Sequence, residues 1–176
     1  PAGPDTGWQA PQVWMGHAAV TTAERHLTAE KFARGGVGQA GSGIGPFRAW
    51  IDDWRLASLS APFSPLPLRA AADAFAYDLR LEAQGPFVLQ GDNGYSQKSE
   101  GDQASYYYSQ PFFTVSGEVR LGDDTLEVTG RAWLDREWSS QPLDADQEGW
   151  DWFALHLPEG EKLMLFRLRG ADGEPY

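Results

Sequence analysis

The sequence predicts an all-β chain that closes as an antiparallel barrel, and three observations carry that prediction. Apolar and polar residues alternate at period two in one segment after another. Clusters of Gly, Pro, Asn and Asp bound those segments at the spacing of a sandwich or barrel. No helix-period segment of useful length interrupts them.

The elements follow in order. Residues 1–11 (PAGPDTGWQAP) read as loop or linker. Gln12 to Thr22, rich in Val, Trp and Thr, is a strand. Residues 23–34 fit a short amphipathic helix or a hairpin edge, and the pattern does not separate the two. GGVGQAGSGIGPF is expected to be a flexible connection. Arg48 to Ser58 reads as one strand with Trp50 and Trp54 on the same face. From Asp73 to Ala83, Phe75, Tyr77, Leu79 and Leu81 share a face, with Asp78, Arg80 and Glu82 opposite. Phe113, Val115, Val119 and Leu121 form the next stripe. The turn Gly122-Asp123-Asp124 then leads to Leu126, Val128, Ala132 and Leu134, a hairpin by its spacing. Gln141 to Glu148 is a polar loop. Trp150 to Leu157 and Lys162 to Arg169, joined by PEGE, make the last hairpin.

Composition bounds the function. A length of 176 residues suits one domain, or one domain with a piece of another. With 41% hydrophobic and 22% charged residues the chain can bury a core. Eight Trp, nine Phe and six Tyr supply wide apolar walls with polar handles, which suit a ligand cavity or an ordinary β core. The net charge of −11, from 14 basic and 25 acidic residues without a basic cluster, argues against nucleic acid and against an anionic membrane surface. These residues contain no Cys, which excludes disulfides, thiolate metal sites and a Cys nucleophile among them and leaves the redox compartment open. No apolar run approaches the roughly 18 residues of a membrane-spanning helix. Pro1 reads as a ragged start, so the lack of a signal peptide says little about localisation.

Several constellations could carry chemistry. Gly36, Gly38 and Gly41 match Gly-x-Gly-x-x-Gly, but Pro46 follows and no helix opens, so the tract reads as a loop. His17, His26 and His156 lack metal-ligand spacing. His17, on a strand with Met15 and Ala19, is a half-buried structural histidine or a catalytic one; His26 is exposed. Ser96 and Lys98 share one face of a strand after the Asn93-Gly94 turn. There a desolvated lysine could activate the serine, or the two form a polar strand end.

The most informative tract is Trp133-Leu134-Asp135-Arg136-Glu137-Trp138, followed by Gly149-Trp150-Asp151-Trp152. An extended chain points Trp133, Asp135 and Glu137 one way and Leu134, Arg136 and Trp138 the other. A carboxylate between indoles is desolvated and can act as a general acid. Asp151 heads a parity otherwise made of Phe153, Leu155 and Leu157, where an unpaired acid is costly. Salt bridges of Asp135 or Glu137 with Arg131 or Arg136 are the structural alternative. Tyr106, Tyr107 and Tyr108 put hydroxyls on both sides of a strand, to line a pocket or to cap an edge.

The order HAAVTT, QGDNGYSQK, ASYYYSQP, GRAWLDREWSS and GWDWFALHL resembles the AttH-like and carotenoid 1,2-hydratase family, often called predicted secreted hydrolases. The resemblance covers nearly the whole chain. It implies tandem lipocalin-like β-barrel domains, a ligand cavity near their junction, no cofactor, and export to the periplasm or beyond. Fungal cyclases of Diels–Alder type look like distant users of the same architecture. The family's opening Glu-Trp-Trp-Tyr tract is not found and the chain stops at Tyr176, soon after a second domain would begin, so it is expected to be incomplete at both ends. Residues 1–140 would be a first domain less its opening strands, and 141–176 a linker with the first hairpin of a second. Carotenoid hydratases carry a histidine where this chain has Arg136, and a later Tyr and Asp find no match in LMLFRLR (163–169). Carotenoid hydration is therefore not expected.

The expected function is cofactor-free acid/base chemistry, hydration or hydrolysis, on a bulky apolar small molecule. Asp135 is the proton donor or base, with Glu137 and Arg136 setting its charge. Trp133, Trp138, Trp150 and Trp152 form the wall, and His17 and the tyrosines orient the substrate. Asp151 is a further catalytic candidate. A carrier of a lipid or terpenoid, and an esterase using Ser96 and Lys98, are the alternatives.

Overall fold

The computed structural model describes residues 6–60, 63–99, 101, 103–140 and 143–175. Every regular element among them is a strand, and each strand pairing with a defined register is antiparallel. The chain packs as two compact units, residues 1–83 with 114–131 and residues 84–113 with 132–176. The boundary at residue 140 expected from the sequence concerns repeats in a longer architecture and is a separate matter from this packing division.

The first unit opens with the hairpin β1 (Val13–Thr21) and β2 (His26–Arg34), in register from Val13↔Arg34 to Thr21↔His26. Residues 23–34 thus resolve as a turn and a strand. Thr22 closes the turn, its Oγ1 accepting from the backbone N–H groups of Glu24 and Arg25. The glycine-rich connection departs from expectation: Ala40–Gly43 is a strand, β3, paired with β4 (Arg48–Ile51). Arg48 to Ser58 is not one strand. A tight turn, with Asp52 at φ 52°, splits it into β4 and β5 (Trp54–Ala57). Trp54 is buried and donates to the Ala71 carbonyl, whereas Trp50 donates to Gly38. The shared parity of the two indoles is lost because the chain reverses between them.

β6 (Leu66–Ala71) and β7 (Phe75–Ala83) extend the sheet with Leu66↔Leu81 and Leu68↔Leu79 in register. The predicted β7 stripe faces the interior, with Phe75 and Leu81 buried. Beyond β7 come the last residues of β10 (Ala104–Leu121) and the first of β11 (Asp124–Trp138), joined at Gly122-Asp123 as the spacing predicted. Gly117, at φ 143°, lies so close to β7 that a Cβ would stand 2.2 Å from the Asp78 carbonyl oxygen. The core is Ala18, Ala33, Ala40, Ile51, Trp54, Ala70 and Phe75, small residues around two large rings.

The second unit contains the other ends of β10 and β11. It adds β8 (Val88–Leu89) and β9 (Tyr95–Gln97), both paired with β10, and the hairpin β12 (Gln147–His156) and β13 (Lys162–Gly170). Asp92 and Tyr95 exchange backbone hydrogen bonds across Asn93 and Gly94, at φ 51° and 97°. Both central residues lie in the left-handed region, as a two-residue Asn-Gly hairpin turn requires. The expected polar loop is shorter than predicted, because Gln147 and Glu148 already belong to β12; Gln141 and Pro142 lie outside the described residues. A register shift between Gln147 and Gly149 starts the last hairpin.

Candidate functional site

Period-two geometry on β10 sorts residues 105–109 onto two faces. Ser105, Tyr107 and Ser109 are buried at 5%, 4% and 0% exposure, while Tyr106 stands 58% exposed. The hydroxyls therefore divide as the alternation predicted, with Tyr107 alone of the three tyrosines turned inward. On the outer face Tyr106 stacks on Trp138 at 6.0 Å, and Tyr108 meets Trp138 edge-on at 6.1 Å. Arg136 lies over the Tyr108 ring and donates to its hydroxyl at 3.3 Å. Arg136 thus stands with the outer tyrosines.

The inner face of β10 meets Trp133, Asp135 and Glu137 of β11. Ser109 donates to Asp135 Oδ1, which also accepts from Trp133 Nε1 at 2.9 Å. Gln90 Nε2 donates to the same serine at 2.9 Å, so a chain of bonds fixes the carboxylate from behind. Burial pushes the Tyr107 phenol up to about 12, and the charge of Asp135 and a hydrogen bond to it add to the rise. Hydrogen bonds with Trp152 and Ser109 offset part of that shift. An indole N–H can only donate and a carboxylate can only accept, so Trp152 is placed to donate toward the Tyr107 oxygen and Asp135 to accept from its hydroxyl.

Glu137 occupies the neighbouring position on the same face. It accepts from Ser105 Oγ and from Lys98 Nζ at 2.8 Å. The Lys98 ammonium is 4.8 Å from the centre of the Phe166 ring and 5.4 Å from that of Tyr107. The buried Gln147 amide donates to the Lys98 carbonyl at 2.7 Å, holding the strand end in place. Trp150 and Trp152 alternate with Asp151 on β12, and Leu168 and Phe166 lie opposite them on β13. These side chains line a cleft of about 330 Å³ within the second unit, walled by Tyr107, Trp138, Trp150, Trp152, Phe166 and Leu168, with Lys98, Glu137 and Ser105 among its polar groups. The wall is mainly apolar with a few convergent polar groups, the composition of a small-molecule site. Tyr107 lines it, whereas Asp135 bonds to Tyr107 without lining it.

The structure brings together Lys98, Tyr107, Trp133, Asp135, Glu137, Trp138, Trp150 and Trp152. Ser96 is buried on β9 opposite Ser105, while the neighbouring Lys98 is ion-paired to Glu137. Asp151 points away from the cleft and pairs with both Arg167 and Arg169, which supplies the counter-charge its apolar parity required. His17 belongs to the first unit and corrects the half-buried expectation: its side chain is 61% exposed, 3.7 Å from Glu30. The partners of Asp135 and Glu137 are hydroxyls, an indole and a lysine, in place of the arginines of the structural alternative. Among the described residues no three His, Asp or Glu side chains are grouped as metal ligands.

Three residues were missed. Ser105 and Ser109 hold the two carboxylates, and the Ser-Tyr-Tyr-Tyr-Ser alternation was a signal for them. His156, edge-on to Trp133 at 6.0 Å, shares its strand face with Trp150 and Trp152, and that parity was readable.

Residues 2–176 match the family model described as AttH-like. The fold matches a crystal structure assigned as AttH from Nitrosomonas europaea, with TM-score 0.88 and 36% identity over 96% of this chain and 53% of that one. Kievitone hydratase from Nectria haematococca has the same fold, with TM-score 0.65 and 19% identity over 94% of this chain and 55% of that one. The expected antiparallel, lipocalin-like β fold is thereby shown. The chain spans about half the length of these two structures. No curated protein matches it.

Proposed function

From the premise that the chain belongs to the AttH-like family, we propose that it performs cofactor-free acid/base catalysis, hydration or hydrolysis, on an apolar, lipid- or terpenoid-like small molecule. One of the solved structures it resembles is a hydratase, which supports that reaction class. The observation that carries the reading is Asp135, held by Ser109 and Trp133 on the face that presents Tyr107 to the wall of an indole-lined cleft. Tyr107 has a hydroxyl at the cleft and a carboxylate behind it. A proton taken from water by the phenol oxygen is matched by the phenol proton passing to Asp135, and the reverse movement returns it. Trp152 and Ser109 hold that relay in line, and the indoles keep bulk water from the cleft while the reacting water sits at Tyr107. Export from the cytoplasm belongs to the same proposal.

The test is turnover of a panel of aryl esters and alkenes, with Asp135→Asn and Ser96→Ala alongside. Asp135→Asn is expected to lower kcat by about 10²–10⁴-fold, the usual worth of a positioned acid/base, with ligand affinity within a few-fold. Unchanged turnover in Asp135→Asn removes the relay. Loss in Ser96→Ala alone establishes the serine esterase instead. Stoichiometric binding without product points to a carrier.

A further inference from the structure

The acid/base reading leaves Lys98 without a role, and its setting is specific. Its ammonium reaches the cleft between the faces of Tyr107 and Phe166, and Glu137 is its only acceptor among the described residues. The strand end that carries it is fixed by Gln147 and by the Lys98 N–H donating to the Gln103 carbonyl. A flexible surface lysine would need neither arrangement. Two of the three ammonium protons remain for a ligand atom.

That cation discriminates between kinds of double bond. Protonation of an isolated alkene creates a carbocation, which would be repelled by the fixed ammonium, and two of the wall's rings already hold a cation on their faces. Addition of water to a double bond conjugated with a carbonyl places negative charge on the carbonyl oxygen instead. A preorganised ammonium is suited to that charge as it develops. The pair with Glu137 is neutral as a whole, so the cleft favours an uncharged ligand that gains its charge only in the reaction.

Resting on the acid/base reading, we infer that the substrate class is a neutral, largely apolar α,β-unsaturated carbonyl compound, with Lys98 as the catalytic group that holds the enolate oxygen. The oxygen of water bonds to the β-carbon while its proton passes through Tyr107 to Asp135. The π electrons move through the carbonyl group onto its oxygen, which Lys98 receives. The same proton returns through Tyr107 to the α-carbon, the carbonyl reforms, and one water has been added across the double bond. Glu137, itself held by Ser105, orients the ammonium.

The experiment uses benzalacetone as the conjugated probe, with allylbenzene and phenyl acetate for comparison, in deuterium oxide. The expected result is protein-dependent deuterium at the α-carbon of benzalacetone, with little turnover of the other two. Lys98→Met is expected to reduce that exchange by about 10²–10³-fold, as loss of one charge-stabilising donor does, while benzalacetone still quenches the cleft tryptophans. Should Lys98→Met fail to fold, Lys98→Met with Glu137→Gln removes the charge pair as a unit and carries the same expectation. Turnover of allylbenzene or phenyl acetate without benzalacetone exchange overturns the inference and leaves the acid/base reading standing. Exchange that survives the loss of Lys98 also overturns it. Inertness toward all three probes sinks both.

Discussion

The two compact units bury opposite kinds of side chain. The first hides Ala18, Ile51, Trp54, Leu66, Phe75 and Leu81, with Ser58 as the one buried polar residue among its described residues. The second hides Ser96, Ser105, Ser109, Gln110 and Gln147, with Phe113 and the ring of Tyr107 as its large buried groups. Buried hydroxyls and amides cost free energy unless each finds a partner, whereas buried aliphatic surface is favourable at about 25 cal/mol per Å². One unit is thus arranged for stability, and the other spends stability on a fixed polar network. That difference supports placing the proposed chemistry in the second unit, since costly polar interiors persist where they position reacting groups.

The comparison can be broken where it should be strongest. Phe75→Ala empties a fully buried site in the first unit and is expected to cost about 3–5 kcal/mol in denaturant unfolding, with Asp135 and its partners untouched. A loss under about 1 kcal/mol would show that the first unit is not the stabilising one. Ser109→Ala in the second unit removes a donor from Asp135 and an acceptor from Gln90. It is expected to cost about 1–3 kcal/mol, and to lower turnover more than it lowers ligand affinity.

The alkaline limb sharpens the contrast further. Folding raises the Tyr107 phenol from 10.0 to about 12, so its neutral form is favoured in the folded state. The stability it contributes is fully present below pH 10 and is lost as pH rises through about 12. Tyr107→Phe should flatten that decline in urea melts collected across this range. The smallest effect belongs to Arg80 and Glu82, an exposed pair in the first unit. Arg80→Ala is expected to change stability by less than about 1 kcal/mol, and by still less at high salt.

Much of this was legible in the sequence wherever geometry is local. Period two fixed the shared face of Trp133, Asp135 and Glu137, the split of the three tyrosines and the inward stripe of β7, because alternation needs no partner to be known. What escaped was set by pairing between distant segments. The choice of Ser109 over an arginine as the partner of Asp135 depends on the register of strands 26 residues apart. The escape of Asp151 from its apolar parity depends on Arg167 and Arg169 across the hairpin. The reversal at Asp52 was missed for a different reason. Asp52-Asp53 is a turn signal of the kind read at Asp123-Asp124, but no Gly, Pro or Asn accompanies it, so a parity was carried straight through a bend.

The hydrogen bond from Gln147 to the Lys98 carbonyl has a consequence in time. It joins positions 49 residues apart, while the Asn93-Gly94 hairpin beside it needs only its own few residues and closes within about 1–10 μs. During synthesis at about 5–20 residues per second, Gln147 is made roughly 2–10 s after Lys98. For those seconds the nascent chain can possess its turn, its serines and its lysine while lacking the amide that pins the lysine down. A ribosome that stalls in that interval leaves a chain with the reactive residues already made and no cleft to keep them apart from water.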